Sequence, residues 1–105
     1  MAIVTATNFR LKPGGLEVFR NDVRQAKATL ERCGAKKVRV LAAIVGGEAT
    51  TSLAISWEAD NYENYGKVID KYQVDPEGAA QVVAFSSPYS PTDSIQSTVW
   101  QEINL

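Results

Sequence analysis

The stretch KVRVLAAIVGGEATTSLAISWE, residues 37–58, decides the fold. Its two halves, 37–45 and 50–58, are rich in aliphatic and β-branched residues, which favour strands. Gly46 and Gly47 lie between them, and a glycine pair is typical of a tight reversal between antiparallel strands. The stretch therefore predicts a β-hairpin, and the second strand places Leu53, Ile55 and Trp57 on one face.

A strand and a helix are predicted before this hairpin. Ala2 to Leu11 is rich in Ile, Val, Thr and Phe and contains no Gly or Pro, which indicates a strand with apolar residues on both faces. Pro13 and the glycines after it end the strand, and Gly34 ends the helix that follows. The buried stripe of this helix is predicted at positions spaced by three and four: Leu16, Phe19, Val23, Ala26, Leu30 and Cys33.

Two helical segments and a strand are predicted after the hairpin. Asp60, with Glu63 three residues later, is predicted to cap a second helix. Asp75 and Pro76 begin a shorter helix that ends near Phe85. A loop over 86–93 and a last strand over 94–103 complete the chain. The predicted apolar stripes are Tyr62, Tyr65, Ile69 and Tyr72 in the second helix, and Ala79, Val82 or Val83, and Phe85 in the short one.

This order of segments predicts a single α+β domain over residues 1–105 with a ferredoxin-like βαββαβ arrangement. Right-handed crossovers give a four-stranded antiparallel sheet in the order 4-1-3-2, with the helices on one face. The opposite face has no helix to cover it, yet its strands also carry apolar residues. A second copy of the chain is the simplest cover, so a homodimer is expected.

Composition excludes several classes of partner. Eleven basic and twelve acidic residues leave a net charge of -1, which argues against binding to nucleic acid or to an anionic membrane. The longest aliphatic run, residues 40–45, is far shorter than the roughly 20 residues of a membrane span. No export signal is predicted at the N-terminus, and the lone Cys33 is typical of a core residue in a reducing compartment. A cytoplasmic location is expected.

The sequence also argues against several common reaction chemistries. It contains no histidine and one cysteine, so metal sites built on imidazole or several thiolates are not expected. Ser-His and Cys-His nucleophilic systems are excluded for the same reason. Gly14 and Gly15 lack the longer glycine pattern of a dinucleotide-binding loop. No cofactor is therefore predicted.

Two short motifs carry a resemblance to a known group. The end of the first strand, NFRLKPG at residues 8–14, and the passage ISWEA at 55–59 into a tyrosine-bearing helix resemble the dimeric α/β-barrel superfamily. That group includes antibiotic-biosynthesis monooxygenases, stress-responsive barrel proteins, haem-degrading oxygenases and NIPSNAP-like proteins. The resemblance implies a homodimeric barrel in which two sheets face each other and each subunit has a small-molecule pocket between sheet and helices.

The resemblance also suggests candidate site residues. Asn8 matches an asparagine that contacts substrate or oxygen in related enzymes, although it is also suited to a hydrogen bond with nearby backbone. Tyr65 lies at or beside the tryptophan position of the haem-degrading branch, whose histidine has no counterpart here. Asn8 and Tyr65 are the candidate catalytic residues, and Arg10, Tyr62, Tyr72 and Trp100 are the candidate ligand-binding residues.

Each of these ligand-binding candidates has a structural alternative. Arg10 is suited to bind a carboxylate, but an arginine near a strand end also reaches solvent. The tyrosine stripe is also what an ordinary amphipathic helix requires, and Trp100 is suited to packing as well as to a pocket wall.

Two functions follow from these patterns. The first is a homodimer that binds an apolar or aromatic small molecule between sheet and helices. The alternative is a cofactor-independent monooxygenase acting on an aromatic or polyketide-like substrate, in which Tyr and Asn side chains hold developing charge. A third hypothesis, without chemistry or a small-molecule ligand, is an interaction module that binds partner proteins along an edge of the sheet.

Overall fold

A computed structural model of the chain describes residues 2–45, 52–87 and 90–105. Its elements in chain order are β1 (Ile3–Leu11), α1 (Gly15–Arg32), β2 (Lys36–Ala42), β3 (Ser52–Ala59), α2 (Tyr62–Val74), α3 (Pro76–Ser86) and β4 (Thr92–Gln101). This is the predicted order, including the short additional helix α3. The predicted glycine turn of the hairpin lies outside the described residues, and β2 ends at Ala42 rather than at Val45.

The four strands form one antiparallel sheet in the order β2-β3-β1-β4, which is the predicted order 4-1-3-2 read from the other edge. Strand β1 lies at the centre. Phe9 pairs with Leu53 of β3 on one side and with Ile95 of β4 on the other. The predicted α+β fold class and sheet topology are therefore confirmed.

The helices pack against one face of this sheet around a cluster of aromatic rings. The rings of Phe9, Phe19 and Phe85 have centroids 5.0 to 5.6 Å apart, joining β1, α1 and α3. The stripe predicted for α1 is buried from Phe19 to Cys33. Leu16 is the exception, because it lies at the open side of α1 facing strand β2 and is 40% exposed.

The predicted cap of α2 is wrong by one residue. Asn61, not Asp60, is the N-cap, and its side-chain oxygen accepts a hydrogen bond from the backbone N–H of Asn64 at 2.8 Å. Asp60 instead accepts from Lys36 Nζ at 2.7 Å, linking the start of the helix to β2. The cap moves because Asn61 has the extended backbone that directly precedes the first helical turn.

The apolar stripe predicted for α3 is also wrong in part. Phe85 packs on the core, but Val82 is half exposed and Val83 is largely exposed. Gly78 and Gln81 are the buried residues of this helix. A Cβ at Gly78 would clash with the backbone carbonyl of Tyr72, so the glycine permits a close approach of α3 to the end of α2.

The sheet has two unlike faces. Residues alternate between the faces along each strand, and residues paired across strands share a face. The helix-covered face carries Ile3, Thr5, Thr7, Phe9 and Leu11 of β1, together with their partners in β3 and β4. The helix-free face carries Val4, Ala6, Asn8 and Arg10 of β1, Arg39 and Leu41 of β2, Ser52, Ala54, Ser56 and Glu58 of β3, and Gln96, Thr98 and Trp100 of β4.

Candidate functional site

A cavity of about 240 Å³, here called the inner cavity, lies between the helices and the helix-covered face. All three helices and strands β1, β3 and β4 contribute to its wall. Its lining residues are Thr7, Phe9, Ala26, Leu30, Ile55, Trp57, Ile69, Tyr72, Val82, Phe85, Ile95 and Ser97. Nine of these twelve are aliphatic or non-hydroxylated aromatic residues, so the cavity suits an apolar or aromatic guest.

The polar groups of the inner cavity are hydroxyls. Thr7 and Ser97 face each other across the β1–β4 pair, with their side-chain oxygens hydrogen-bonded at 2.9 Å. Tyr72 contributes the third hydroxyl, which donates to the side-chain oxygen of Gln81. These neutral groups give the cavity hydrogen-bonding capacity without a formal charge.

Tyr72 belongs to a hydrogen-bond chain that joins the three helices. Gln81 accepts from the Tyr72 hydroxyl, and its amide donates to Thr29 Oγ at 3.2 Å. Thr29 in turn donates to the backbone carbonyl of Gln25 at 2.9 Å. Burial raises the pKa of Tyr72 to about 12, with the nearby Cys33 and Asp75 acting in the same direction. The phenol is therefore protonated at neutral pH, so it acts as a donor and not as a general base.

Tyr65 lies behind one wall of the inner cavity. Its ring stacks on the buried Trp57 with centroids 5.5 Å apart and an interplanar angle of 16°. Trp57 itself lines the cavity, so Tyr65 supports the wall without being part of it. Tyr62 packs on the outer side of Tyr65 at 5.7 Å and is 71% exposed. Along the predicted tyrosine stripe, Tyr72 therefore lines the cavity, Tyr65 lies behind its wall and Tyr62 is exposed at the surface.

Asn8, Arg10 and Trp100 lie on the opposite side of the sheet. Asn8 is adjacent to Phe9 in β1, so its side chain lies on the helix-free face, where it is exposed. Trp100 pairs with Val4 on that same face and is 59% exposed. The prediction that Asn8 lines a pocket between sheet and helices together with the tyrosines is therefore wrong. The structure separates the two candidate catalytic residues, Asn8 and Tyr65, by the thickness of the sheet.

Sequence reasoning missed several cavity residues, although a signal for them existed. Ile95 and Ser97 line the inner cavity because they pair with Phe9 and Thr7 on the helix-covered face. The predicted pairing of the first and last strands implies that some residues of the last strand share the face of Phe9. Which residues these are depends on the register between the two strands, which the sequence did not give. Val82 was included in a predicted apolar stripe and is found at the cavity.

Two further properties constrain the chemistry. Burial raises the pKa of the Cys33 thiol, which disfavours the nucleophilic thiolate form. Across residues 2–45, 52–87 and 90–105, no group of three or more Cys, Asp or Glu side chains is arranged to hold a metal ion.

In those same ranges, none of the helices has both the length and the apolar composition needed to cross a membrane.

Comparison with known proteins finds structures of similar fold but no sequence match. No family model matches the sequence, and no curated protein matches it. Among solved structures, a NIPSNAP family protein from Agrobacterium tumefaciens is similar with a TM-score of 0.78 at 13% identity, over 98% of this chain and 87% of that one.

Two similar structures carry enzyme names. SnoaB, a cofactor-independent oxygenase from Streptomyces nogalater, has a TM-score of 0.73 at 10% identity, over 99% of this chain and 95% of that one. A putative antibiotic biosynthesis monooxygenase from Nitrosomonas europaea has a TM-score of 0.72 at 10% identity, over 97% and 90% of the two chains. The chain therefore has the ferredoxin-like α+β fold shared by NIPSNAP family and monooxygenase-like proteins, in agreement with the superfamily resemblance of its sequence.

Proposed function

We propose that this protein is a homodimer that binds a small apolar or aromatic molecule in the inner cavity. The observation that carries this proposal is the cavity of about 240 Å³ between the helices and the sheet, lined mainly by apolar side chains. An apolar cavity of about 150 Å³ is large enough to hold benzene. The guest is accordingly a compound of about one or two rings.

The hydroxyls of the inner cavity define the polar end of this guest. Phe9, Trp57 and Phe85 offer ring faces and edges to an aromatic body. The Thr7–Ser97 pair has one hydroxyl hydrogen left to donate to a hydroxyl or carbonyl oxygen of the guest, and the Tyr72 oxygen, whose own hydrogen is donated to Gln81, can accept from a hydroxyl of the guest. A phenol or naphthol combines these two features, so this class of compound is the appropriate first probe.

Neighbouring valines of α3 provide a matched test of this proposal. Val82 lines the inner cavity and Val83 does not, and both are at least half exposed. With 2-naphthol as probe, Val82→Trp fills part of the cavity and is expected to weaken binding by about tenfold, the loss of one well-placed contact. Val83→Trp serves as the control and retains the original affinity. Equal affinities for the two variants in a calorimetric titration contradict the site.

The homodimer is proposed to form through the helix-free face. This face exposes Trp100 and Leu41, which are 59% and 48% accessible, around a centre of half-buried small side chains that includes Ala6 and Ala54. All three helices lie on the other side, so a second copy of this face is a complementary cover. The predicted residues Asn8 and Arg10 then belong to the contact between subunits.

Light scattering after size-exclusion chromatography tests the assembly. A dimer has twice the chain mass of 11.4 kDa. Ala54→Arg places a charged side chain at the centre of the proposed interface and is expected to give a folded monomer. Val83→Arg, on an exposed helix position, is the control that stays dimeric. A monomeric parent protein at micromolar concentration excludes the proposal.

A cofactor-independent monooxygenase is the second candidate function. It is supported by the fold shared with SnoaB and by the hydroxyl donors of the inner cavity, which suit the developing charge of an activated phenol. In such a reaction one atom of O₂ enters the substrate and the other leaves as water, with the substrate supplying both electrons and both hydrogens. Oxygen uptake with a panel of reduced quinols tests it.

The predicted catalytic residues make different contributions in this second candidate. Tyr65 contributes through the position of Trp57, whereas Asn8 lies on the helix-free face, away from a substrate in the inner cavity. Uptake that is lost in Tyr65→Ala, which removes the ring stacked on Trp57, and retained in Asn8→Ala supports turnover in the inner cavity. Absence of uptake across the whole panel, with 2-naphthol binding intact, leaves the binding function alone.

A further inference from the structure

A second cavity lies on the outer side of α1, where this helix runs beside the edge strand β2. We call it the outer cleft; its volume is about 350 Å³, and its lining residues are Leu16, Arg20, Val23, Arg24, Lys27, Val40, Ala42 and Leu53. It shares no residue with the inner cavity. Its volume lies at the lower end of the range of about 300 to 1,000 Å³ that is typical of ligand pockets.

The outer cleft combines an apolar floor with a cationic rim. Leu16 and Val40 are each 40% exposed, although both are large aliphatic residues next to the core. Arg20, Arg24 and Lys27 follow one another on α1 at spacings of four and three, so they lie along one side of the helix. The cleft therefore has a line of positive charge beside apolar surface.

The charges of this rim are only weakly neutralised by the protein. Arg20 lies 3.8 Å from Glu17 and Lys27 lies 3.2 Å from Glu31, and all four side chains are at least 40% exposed. Exposed ion pairs of this kind leave much of the cationic potential in place. Within the described ranges, no carboxylate oxygen lies within 4.0 Å of the Arg24 guanidinium.

A solvated helix face explains cations on α1, but it does not explain their place beside an accessible apolar cleft. We propose that the outer cleft is a second binding site, which takes a small amphiphilic anion with an apolar body and one carboxylate, sulfate or sulfonate group. The apolar body contacts Leu16, Val40 and Leu53, and the acidic group is held by the rim. Arginine suits this role because its planar fork matches the geometry of such anions.

Two other occupants fit the observations less well. A second copy of the chain docked with its two-fold axis through the cleft would place the three cations near their own copies, which is unfavourable. An anionic membrane requires an outward-facing basic surface, whereas the feature is a cleft in a chain of net charge -1. A soluble anion of small size satisfies both the shape and the charge.

A pair of fluorescent probes separates the charge from the apolar contribution. The probe 8-anilinonaphthalene-1-sulfonate carries a sulfonate, and N-phenyl-1-naphthylamine has nearly the same rings without it. Arg24→Gln with Lys27→Gln is expected to weaken binding of the sulfonate by about tenfold, which is typical for loss of charge-assisted contacts at a partly exposed site. Binding of the uncharged probe changes little.

The control is a double variant with the same change in net charge at another place. Lys67→Gln with Lys71→Gln alters α2 residues beside a different surface depression. It is expected to retain the sulfonate affinity of the parent protein. An equal loss in the two double variants means that net charge alone attracts the probe, and this outcome overturns the proposal.

Two further measurements fix the position of the probe. In ¹H–¹⁵N spectra, the sulfonate is expected to shift the backbone amides of α1 residues 16–27 and of Val40 and Ala42. Shifts confined to Ile69, Val82 and Ile95 place it in the inner cavity and overturn the proposal. Val82→Trp, which tests the inner cavity, leaves the sulfonate affinity unchanged, so failure of one site is distinguishable from failure of the other.

A vesicle experiment distinguishes a soluble anion from a membrane headgroup. Sedimentation with vesicles of equal parts phosphatidylcholine and phosphatidylglycerol is expected to leave the protein in the supernatant. Cosedimentation that is lost in Arg24→Gln with Lys27→Gln, without any binding of the soluble sulfonate, assigns the rim to a membrane surface and overturns the proposal.

Discussion

The two faces of the sheet differ in what the chain itself places on them. Phe9 and Asn8 are consecutive in β1, yet Phe9 is 3% exposed beneath the helices and Asn8 is exposed on the helix-free face. The helix-covered face obtains its core from this chain alone, whereas the helix-free face retains accessible Trp100 and Leu41. The difference teaches that neighbouring residues in one strand have different surroundings: Phe9 packs within the subunit, whereas Asn8 lies on the face through which the dimer is proposed to form.

The largest expected effect comes from substituting these two neighbours separately. Phe9→Ala removes a ring that contacts Phe19 and Phe85, and it is expected to lower the free energy of unfolding by about 3–5 kcal/mol. Asn8→Ala removes an exposed amide and is expected to change the folding stability of a subunit by about 0.5 kcal/mol or less. Urea unfolding of both variants in the Ala54→Arg background measures subunit stability directly. Similar losses at the two positions would break the distinction between the faces.

The next effect concerns association rather than folding. Trp100 is the largest exposed side chain of the helix-free face, and Trp100→Ala is expected to weaken the proposed dimer by about 2 kcal/mol, or about thirtyfold in dissociation constant. Tyr62→Ala, which removes an exposed ring from α2, is the control with unchanged association. Sedimentation equilibrium measures both constants. If Trp100→Ala leaves the dimer dissociation constant unchanged, the tryptophan does not contribute to the interface.

A smaller effect on the helix-covered side depends on alkaline pH. The pKa of Tyr72 rises from 10.0 to about 12 on folding because the phenol is buried. The folded state therefore holds this proton more tightly than the unfolded state, and the resulting stabilisation is complete below pH 10 and is lost as the pH rises toward 12. Tyr72→Phe is expected to lose the hydrogen bond to Gln81 and to show a shallower fall in stability over this interval.

Urea unfolding of the parent protein and of Tyr72→Phe checks this expectation, measured from below the ordinary pKa of 10.0 up toward the raised pKa of about 12. Tyr62→Phe is the control, because its ring is largely exposed and lies outside the Gln81 hydrogen-bond chain. Parallel curves for the parent and Tyr72→Phe contradict the buried environment of this hydroxyl.

The smallest expected effect lies in the helical layer at acid pH. A hydrogen bond from Arg32 lowers the pKa of the Asp75 carboxyl, and the backbone N–H groups of Gly78 and Glu77 act in the same direction. Because the folded pKa is lowered, the stabilisation is present above the ordinary value of 3.8 and is lost as the pH falls through the lowered pKa. Asp75→Asn keeps a capping side chain but loses the charge. Its melting temperature is expected to be lower at neutral pH and to converge with that of the parent in acid.

Much of the fold was predictable because it follows from local pattern. The buried residues of α1 recur at helical spacing from Phe19 to Cys33, and Gly34 adopts the positive φ of 103° expected after a helix. The sheet order followed from connection rules that depend on chain handedness and not on particular contacts. By contrast, the buried side of α3 depends on Gly78 and Gln81 meeting Tyr72 and Thr29, which are distant in the chain or in another helix.

The candidate site was predictable only in part. Of the six candidate residues, Tyr72 lines the inner cavity and Tyr65 supports its wall through Trp57. Asn8, Arg10 and Trp100 share the other face, a grouping that alternation along β1 and the register with β4 together determine. The family resemblance predicted that Asn8 and Tyr65 share one site. A resemblance does not show which side of a strand faces the helices in this chain.

The sequence by itself determined the element order, the strand order and the two-faced character of the sheet. These depend on periodicity, turn residues and chain handedness, which act over a few residues or apply to any chain. Only the tertiary structure decided that Thr7, Tyr72 and Ser97 meet around one cavity and that Arg24 flanks another. Cavities form where side chains from distant segments fail to fill the space between them, and that packing is set by the register and approach of whole elements.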